Sequence, residues 1–340
     1  MPATWLLIGG ETLLGTEIAE VVAERKLPVT LKAAAARPDV RILTAKDDEL
    51  EVVAPLDAAS VEEASVLILA GSAAAHTEAR RLALASGSAP ALIDASGPLE
   101  LLPEARICAP VLGGALAADR KTIHIPAHPV AVGLARLVRA CRPELGLVEC
   151  VSTIFEPASE HGREGLSELH QQVLELFNFK QLPREIYDAQ LAFNLLPRLG
   201  EDAPLPLGTV EARIEKHLAS LLGPSGLPLP SIRLVQAPVF HGYSLSARLK
   251  FEAPADVERI AAALTAADFE VRGADVEPGT NAGLAGQSGL VVSNIERDRQ
   301  DPRAAWLWLA FDNIRAHAEN AVVTAALLSA ETHKKGAGER

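Results

Sequence analysis

Four side chains that can transfer protons or bind metals stand near the ends of regular elements in the chain: His128, Glu156, His241 and Tyr243. Two imidazoles, a carboxylate and a phenol brought together could shuttle a proton or hold a divalent cation. His128 lies in Ile125-Pro126-Ala127-His128-Pro129-Val130, which leaves a strand and enters a helix. Glu160, His161 and His170 follow soon after Glu156. They belong either to the same region or to the open surface. For the whole set, polar residues lining a solvated cleft are the plainer reading. Near the N-terminus, Ile8-Gly9-Gly10-Glu11-Thr12-Leu13-Leu14-Gly15 places glycines where a strand turns into a helix. Backbone N–H groups at such a turn can approach a pyrophosphate, and the helix N-terminus favours its charge. A tight turn without a ligand explains the glycines equally well. Thr12 puts a β-branched side chain into that turn, where it would crowd a phosphate.

These residues must be held by a regular framework, and the first half of the chain supplies one. Trp5–Ile8, Val29–Ala34, Leu50–Val53, Val66–Ala70 and Ala91–Asp94 read as strands, with helical periodicity over Leu14–Glu24 and Ala73–Ser86. That alternation predicts a parallel sheet covered by helices and joined by right-handed crossovers. Beyond Ala127 the texture changes. Helices are expected over Val130–Arg142, Gly165–Phe177, Val210–Leu222, Ala255–Ala267 and Asn313–Leu328. Strands are expected over Leu147–Ile154, Leu290–Ile295 and Trp306–Phe311, while Ile232–Phe240 and Ser244–Phe251 alternate like antiparallel strands. The fold class is therefore α/β. A Rossmann-type dinucleotide-binding domain comprises 1–127 plus 312–330, and an α+β domain comprises 128–311. Residues 331–340 are read as a flexible tail.

Composition narrows the function classes. With 340 residues, 49% of them hydrophobic, the chain can bury two cores. A net charge of −12 without a basic run argues against nucleic acid and anionic membrane surfaces. No apolar stretch approaches the roughly 20 residues of a membrane span. The start, Met1-Pro2-Ala3-Thr4-Trp5, lacks a basic n-region, which points to the cytoplasm. Three cysteines, Cys108, Cys141 and Cys150, fit a reducing compartment better than a disulfide framework. No Cys-x-x-Cys or His-Glu-x-x-His pattern supports zinc.

Several blocks, in order, resemble the aspartate-semialdehyde dehydrogenase family over nearly the whole chain. They are Ile93-Asp94-Ala95-Ser96, Val151-Ser152-Thr153, Ala192-Phe193-Asn194-Leu195-Leu196-Pro197, Pro238-Val239-Phe240-His241-Gly242-Tyr243-Ser244 and Asp312-Asn313-Ile314-Arg315. The resemblance implies a Rossmann-type domain, a dimerisation/catalytic-type domain and a homodimer. It also implies NADP as the cofactor, near Gly9, Thr12, Gly15, Arg37 and Asn313. The family's glycine motif has Thr12 at its middle glycine, so binding is expected to be weak or lost. Arg37, just past the second strand, would meet the 2′-phosphate; a surface arginine is the alternative.

The same resemblance places the family's nucleophilic cysteine at His128, its acyl-orienting glutamine at Glu156 and its acid/base histidine at Tyr243. Its substrate arginine falls at Gln236 and its phosphate arginine at Glu100, with His241 in the same pocket. The family reaction passes through a thioester, which a histidine cannot form. Cys141 closes the helix after His128 and sits very roughly 20 Å along it, so it is no substitute. The departures resemble those of the family's catalytically degenerate, Usg-type homologues. Three functions stay open: a non-catalytic family homologue, an NADP-dependent oxidoreductase with other chemistry, and a regulatory subunit that pairs with a family paralogue. Ile232–Phe240 and Leu290–Ile295 are candidate dimer strands, though burial in a core explains them too.

Overall fold

The computed structural model describes residues 3–35, 42–46, 49–53, 55–113, 116 and 121–338. The chain divides into two compact units, Met1–Ala127 with His317–Arg340, and His128–Ala316.

In the first unit, β1 (Ala3–Ile8), α1 (Leu13–Glu24), β2 (Val29–Ala34), β3 (Ile42–Lys46), β4 (Glu49–Val53), α2 (Ala58–Glu63), β5 (Val66–Leu69), α3 (Ala73–Ala85), β6 (Ala91–Asp94), β7 (Ala105–Cys108) and β8 (Ile123–Pro126) follow in order. Six strands form one sheet in the order β2-β1-β5-β6-β8-β7, paired in parallel throughout. Strands β3 and β4 make a separate antiparallel hairpin. Side chains alternate across β1: Trp5 and Leu7 pack with Ile18, Val21 and Val22 of α1 on one face. Leu6 and Ile8 pack with Ala75 and Ala79 of α3 on the other. Burial on both faces explains why these strands read as continuous apolar runs. Emptying one such position, Leu to Ala, costs about 2–5 kcal/mol.

The second unit runs α4 (Pro129–Leu145), β9 (Leu147–Glu156), α5 (Gly162–Phe177), α6 (Leu207–Leu222), β10 (Ser231–Gln236), β11 (Tyr243–Phe251), α7 (Val257–Ala266), β12 (Glu270–Val271), β13 (Val291–Arg297), β14 (Ala304–Phe311) and the start of α8 (Asn313–Gly338). Its sheet has the order β10-β9-β11-β14-β13-β12. Of the two segments expected as antiparallel strands, Ser244–Phe251 is antiparallel, as β11 against β9 and β14, whereas Ile232–Phe240 is not. β10 lies parallel to β9, and β9 separates it from antiparallel β11. A helical crossover through α5 and α6 returns the chain in the same direction, as a parallel pair requires. Helices α4, α6 and α7 contact β9, β10 and β13 respectively. The face carrying Val151, Thr153, Ser246, Arg248 and Trp306 stays partly open, with Val151 41% and Trp306 42% exposed.

The unit boundary lies inside α8, at His317. Asp312 accepts the Gly286 N–H at 2.7 Å and Arg315 donates to Ser288 Oγ at 3.2 Å, which ties this first turn to the second unit. From His317 onward the helix serves the first sheet. His317 Nε2 lies 2.6 Å from the Ala95 carbonyl, and Asn320 Nδ2 donates to the Cys108 and Ala127 carbonyls. These contacts give carbonyls at strand ends of the first sheet side-chain donors. The helix continues beyond Leu328, its expected end, to Gly338. No helix among the described residues is long and apolar enough to cross a membrane.

Candidate active site

His128 is the N-cap of α4, with Pro129 at the first helical position, where a missing N–H costs nothing. Its Nδ1 accepts the Val130 N–H at 3.3 Å, which places the ring proton of neutral His128 on Nε2. Its backbone N–H donates to His217 Nδ1 of α6 at 2.8 Å. The imidazole is buried, only 2% exposed, so it is pinned at both ends.

His128 Nε2 lies 3.5 Å from the Tyr243 hydroxyl, and the two rings meet edge to face with centroids 5.7 Å apart. Tyr243, fully buried at the start of β11, is hydrogen-bonded in turn to Glu160. Glu160 stands on the short 3-10 turn Ala158–His161 that follows β9. That turn is stitched to the chain before β11, because Ala158 N–H donates to the Val239 carbonyl and Ser159 N–H to that of Phe240. Asn313 Nδ2 donates to Glu160 Oε1 at 2.7 Å, while Asn313 Oδ1 accepts the Gly242 N–H at 2.9 Å. Burial pushes the Glu160 carboxyl up to about 7, helped by the charge of Glu156. The Asn313 hydrogen bond and the charges of His161 and Arg213 oppose the rise. Burial, with Glu160 and Glu156 nearby, also holds the Tyr243 phenol well above its ordinary range.

Glu156 ends β9 and is fully buried. Its Oε1 lies 3.3 Å from His161 Nε2, yet among the described residues neither carboxylate oxygen completes a hydrogen bond. Gln236 Nε2 donates to the Glu156 carbonyl at 2.9 Å, which turns Gln236 Oε1 toward His161 Nε2 at 3.0 Å. His161 Nε2 therefore carries a proton. Burial pulls the His161 imidazole down, but Glu156, Gln236 and Glu160 outweigh it and leave the group raised.

Of the residues singled out in the sequence, His128, Tyr243, Glu156 and Gln236 thus share one region with Glu160 and His161. Asn313, expected beside a cofactor, has its amide engaged by Ser159, Glu160 and Gly242 within the second unit. His241 is half-buried and takes part through its carbonyl, which accepts from Asn281 at 3.2 Å. Glu100 belongs to the first unit, in the turn after β6, where it is buried and its N–H donates to the Gly97 carbonyl. Arg37 lies outside the described residues. Arg213 and His217 of α6 went unread, although their spacing of four puts both on one helix face. The cysteines stand elsewhere: Cys108 on β7, Cys141 within α4 and Cys150 on β9, all buried. Burial raises their thiols to about 11, 12 and 12 respectively, far from a reactive thiolate. Among the described residues, no three His, Cys, Asp or Glu side chains are grouped to hold a metal ion.

The glycine turn of the first unit lies at the switch point between β1 and β5, where the sheet order reverses. Gly9 has φ +90°, and a Cβ there would come within 2.7 Å of Gly71. A Cβ on Gly15 would collide with the Gly9 carbonyl. Thr12 caps α1, with its Oγ1 accepting the Gly15 N–H at 3.0 Å. The same hydroxyl is within donating distance of the Gly9 and Ala70 carbonyls, at 2.9 and 3.1 Å. The backbone of this turn fits a pyrophosphate, but Thr12 takes one of the N–H groups a helix start offers an anion.

Residues 142–316 match the family described as "Semialdehyde dehydrogenase, dimerisation domain". The whole chain is similar to the USG-1 protein homolog of Pseudomonas aeruginosa, 31% identical over 337 residues that cover 96% of this chain and 98% of the relative. It is similar also to an aspartate-semialdehyde dehydrogenase of Rickettsia bellii, 24% identical over 315 residues, covering 91% and 92% of the two chains. A solved structure titled a probable aspartate-semialdehyde dehydrogenase from Pseudomonas aeruginosa superposes with TM-score 0.79 at 26% identity, covering 96% of this chain and 98% of that one.

Proposed function

The chain belongs to the aspartate-semialdehyde dehydrogenase family, and from that premise we propose that it does not perform the family's thiol-dependent reductive dephosphorylation. The observation that carries this reading is the imidazole of His128 at the N-cap of α4, the position where the family resemblance puts the cysteine. An acyl-imidazole hydrolyses too readily to wait for a hydride, so His128 does not replace the thiol. The surroundings agree with this. Glu156 and Glu160 place two carboxylates where a dianionic acyl phosphate would need cation forks.

The family's frame is retained in this reading. The turn from Gly9 to Gly15 binds NADP weakly, since Thr12 competes for the helix N-terminus. The open face of the second sheet, with Val151, Arg248 and Trp306, joins two copies in an isologous homodimer. A second reading, an oxidoreductase with remodelled chemistry, is favoured by the buried hydrogen-bonded set of His128, Tyr243, Glu160 and Asn313. The test is calorimetric titration with NADP and NADPH, run beside aspartate-semialdehyde turnover on one preparation. Weak cofactor binding without turnover supports the first reading. Turnover at a rate typical of an enzyme overturns it.

A further inference from the structure

We propose that the cluster of His128, Tyr243, Glu160 and Glu156 is a cofactor-independent acid–base site for small aldehydes, with Glu160 taking and returning a proton on the carbon beside the carbonyl. This rests on the reading that the former dehydrogenase pocket has lost its thiol chemistry.

The hydrogen bonds run in one direction. Val130 N–H occupies His128 Nδ1, so His128 presents Nε2–H to the Tyr243 oxygen at 3.5 Å. The Tyr243 O–H is then free to donate onward to Glu160. Asn313 Nδ2 fixes Glu160 Oε1 at 2.7 Å, and Asn313 is itself held by the Gly242 N–H. Glu160 is thus aimed by two donors, while 22% of its side chain remains open to solvent for proton exchange. The groups facing it are Glu156, His161, Arg213, His128 and Tyr243. Their balance with burial leaves the carboxyl near 7, able to hold or release a proton at neutral pH.

A second observation points to a ligand. Glu156 is fully buried, with Oε1 paired to the protonated His161 Nε2 at 3.3 Å and Oε2 lacking a hydrogen bond among the described residues. A buried carboxylate oxygen without a donor is costly, and a ligand N–H or O–H at Oε2 would relieve it. The ligand so defined offers a donor to Glu156 and a neutral acceptor oxygen to the Tyr243 O–H. Two carboxylates disfavour a ligand of net negative charge, and a carbonyl carbon flanked by a C–H suits the Tyr243–Glu160 pair. In the step itself, the Glu160 carboxylate removes the proton and the C–H electron pair moves into the carbonyl to give an enolate. As Glu160 takes up the proton, the single Tyr243 O–H turns from it to the enolate oxygen, which it stabilises with the positive charge of Arg213 nearby. Glu160 returns a proton to the same carbon, so there is no net oxidation or reduction.

The experiment follows deuterium entry at the methylene beside the aldehyde of aspartate semialdehyde by NMR in D2O, using full-length protein without nicotinamide cofactor. Exchange should exceed the buffer blank, rise with pH through about 7, and fall roughly a hundredfold or more in Glu160→Gln. Tyr243→Phe should slow exchange while leaving its pH midpoint near neutrality. Circular dichroism and melting of both variants verify folding. A wild-type rate equal to the blank, or an undiminished rate in folded Glu160→Gln, overturns the proposal. NADP-dependent turnover in a parallel sample would instead overturn the reading on which it rests.

Discussion

His128 Nε2 stands 3.5 Å from the Tyr243 hydroxyl and 3.8 Å from Glu160 Oε2, so the ring at the head of α4 faces a phenol and a carboxyl. A thiol introduced at this position would sit at a helix N-terminus, which favours thiolate, but beside Glu160 and within reach of the Glu156 charge, which oppose it. His128→Cys alone is therefore expected to produce no dehydrogenase turnover. Its alkylation by iodoacetamide should be slow at pH 7, and adding Glu160→Gln should speed it several-fold. Fast alkylation of the single variant would contradict the electrostatic account of the site.

Stability should depend on pH with a definite sign. The Glu160 carboxyl moves from its ordinary 4.5 to about 7 on folding, so the folded state favours its neutral form. Full stability is present below the unfolded value and is lost as pH rises toward and through 7. His161, also raised, works in the same direction, because folding favours its charged form and that contribution fades as pH climbs through the folded value. Replacing Glu160 by Gln should make the protein more stable at pH 8 than the wild type, by on the order of 2 kcal/mol, with little difference at pH 4.5. Urea melts at the two pH values check this.

Thr12 makes the glycine turn self-sufficient, because its hydroxyl caps Gly15 and reaches the Gly9 and Ala70 carbonyls. Thr12→Gly should cost roughly a few tenths of a kcal/mol for the cap and about 1 kcal/mol for the hydroxyl's contacts with the two carbonyls. It should also free the helix N-terminus and tighten NADP binding several-fold in calorimetry. Unchanged affinity would mean that the Thr12 side chain does not limit the site.

Much of this architecture is legible in the sequence, for identifiable physical reasons. Strands β1, β5 and β6 are buried on both faces, so Trp5–Ile8, Val66–Leu69 and Ala91–Asp94 read as unbroken apolar runs between glycine- and serine-marked turns. The direction of β10 was not legible, because alternation along Ser231–Gln236 says nothing of its neighbour, which lies far back in the chain at Val151–Glu156. At the site, His128 could be read from its place between Pro126 and Pro129. The central position of Glu160 depends instead on long-range stitching, through Val239 and Phe240, that no local pattern reports. His217 lies within the buried stripe of α6 with Ile214 and Leu218, and a buried histidine on an apolar stripe was the one available signal. Asn313 was readable as a motif residue, but its partners Ser159 and Gly242 are distant in sequence and were not.

The open face of the second sheet provides a further prediction. Trp306 and Val151 both flank Arg248 across the strands, and Arg248 is tied to Asp298, Asp301 and Glu149. If two copies meet there, Trp306→Glu places a charge in the joint and should convert dimer to monomer in light scattering at micromolar protein, with the melt of the isolated subunit preserved. A monomeric wild type would remove the basis for the homodimer.

The central claim is that no thioester chemistry survives at His128, and the most direct measurement is aspartate-semialdehyde oxidation with NADP and phosphate, followed at 340 nm and by intact-mass analysis of the protein. The expected result is absorbance no different from the blank and no acyl adduct on Cys108, Cys141 or Cys150. Steady NADPH formation that is abolished by His128→Ala, or an acyl adduct on any of the three cysteines, would contradict the account.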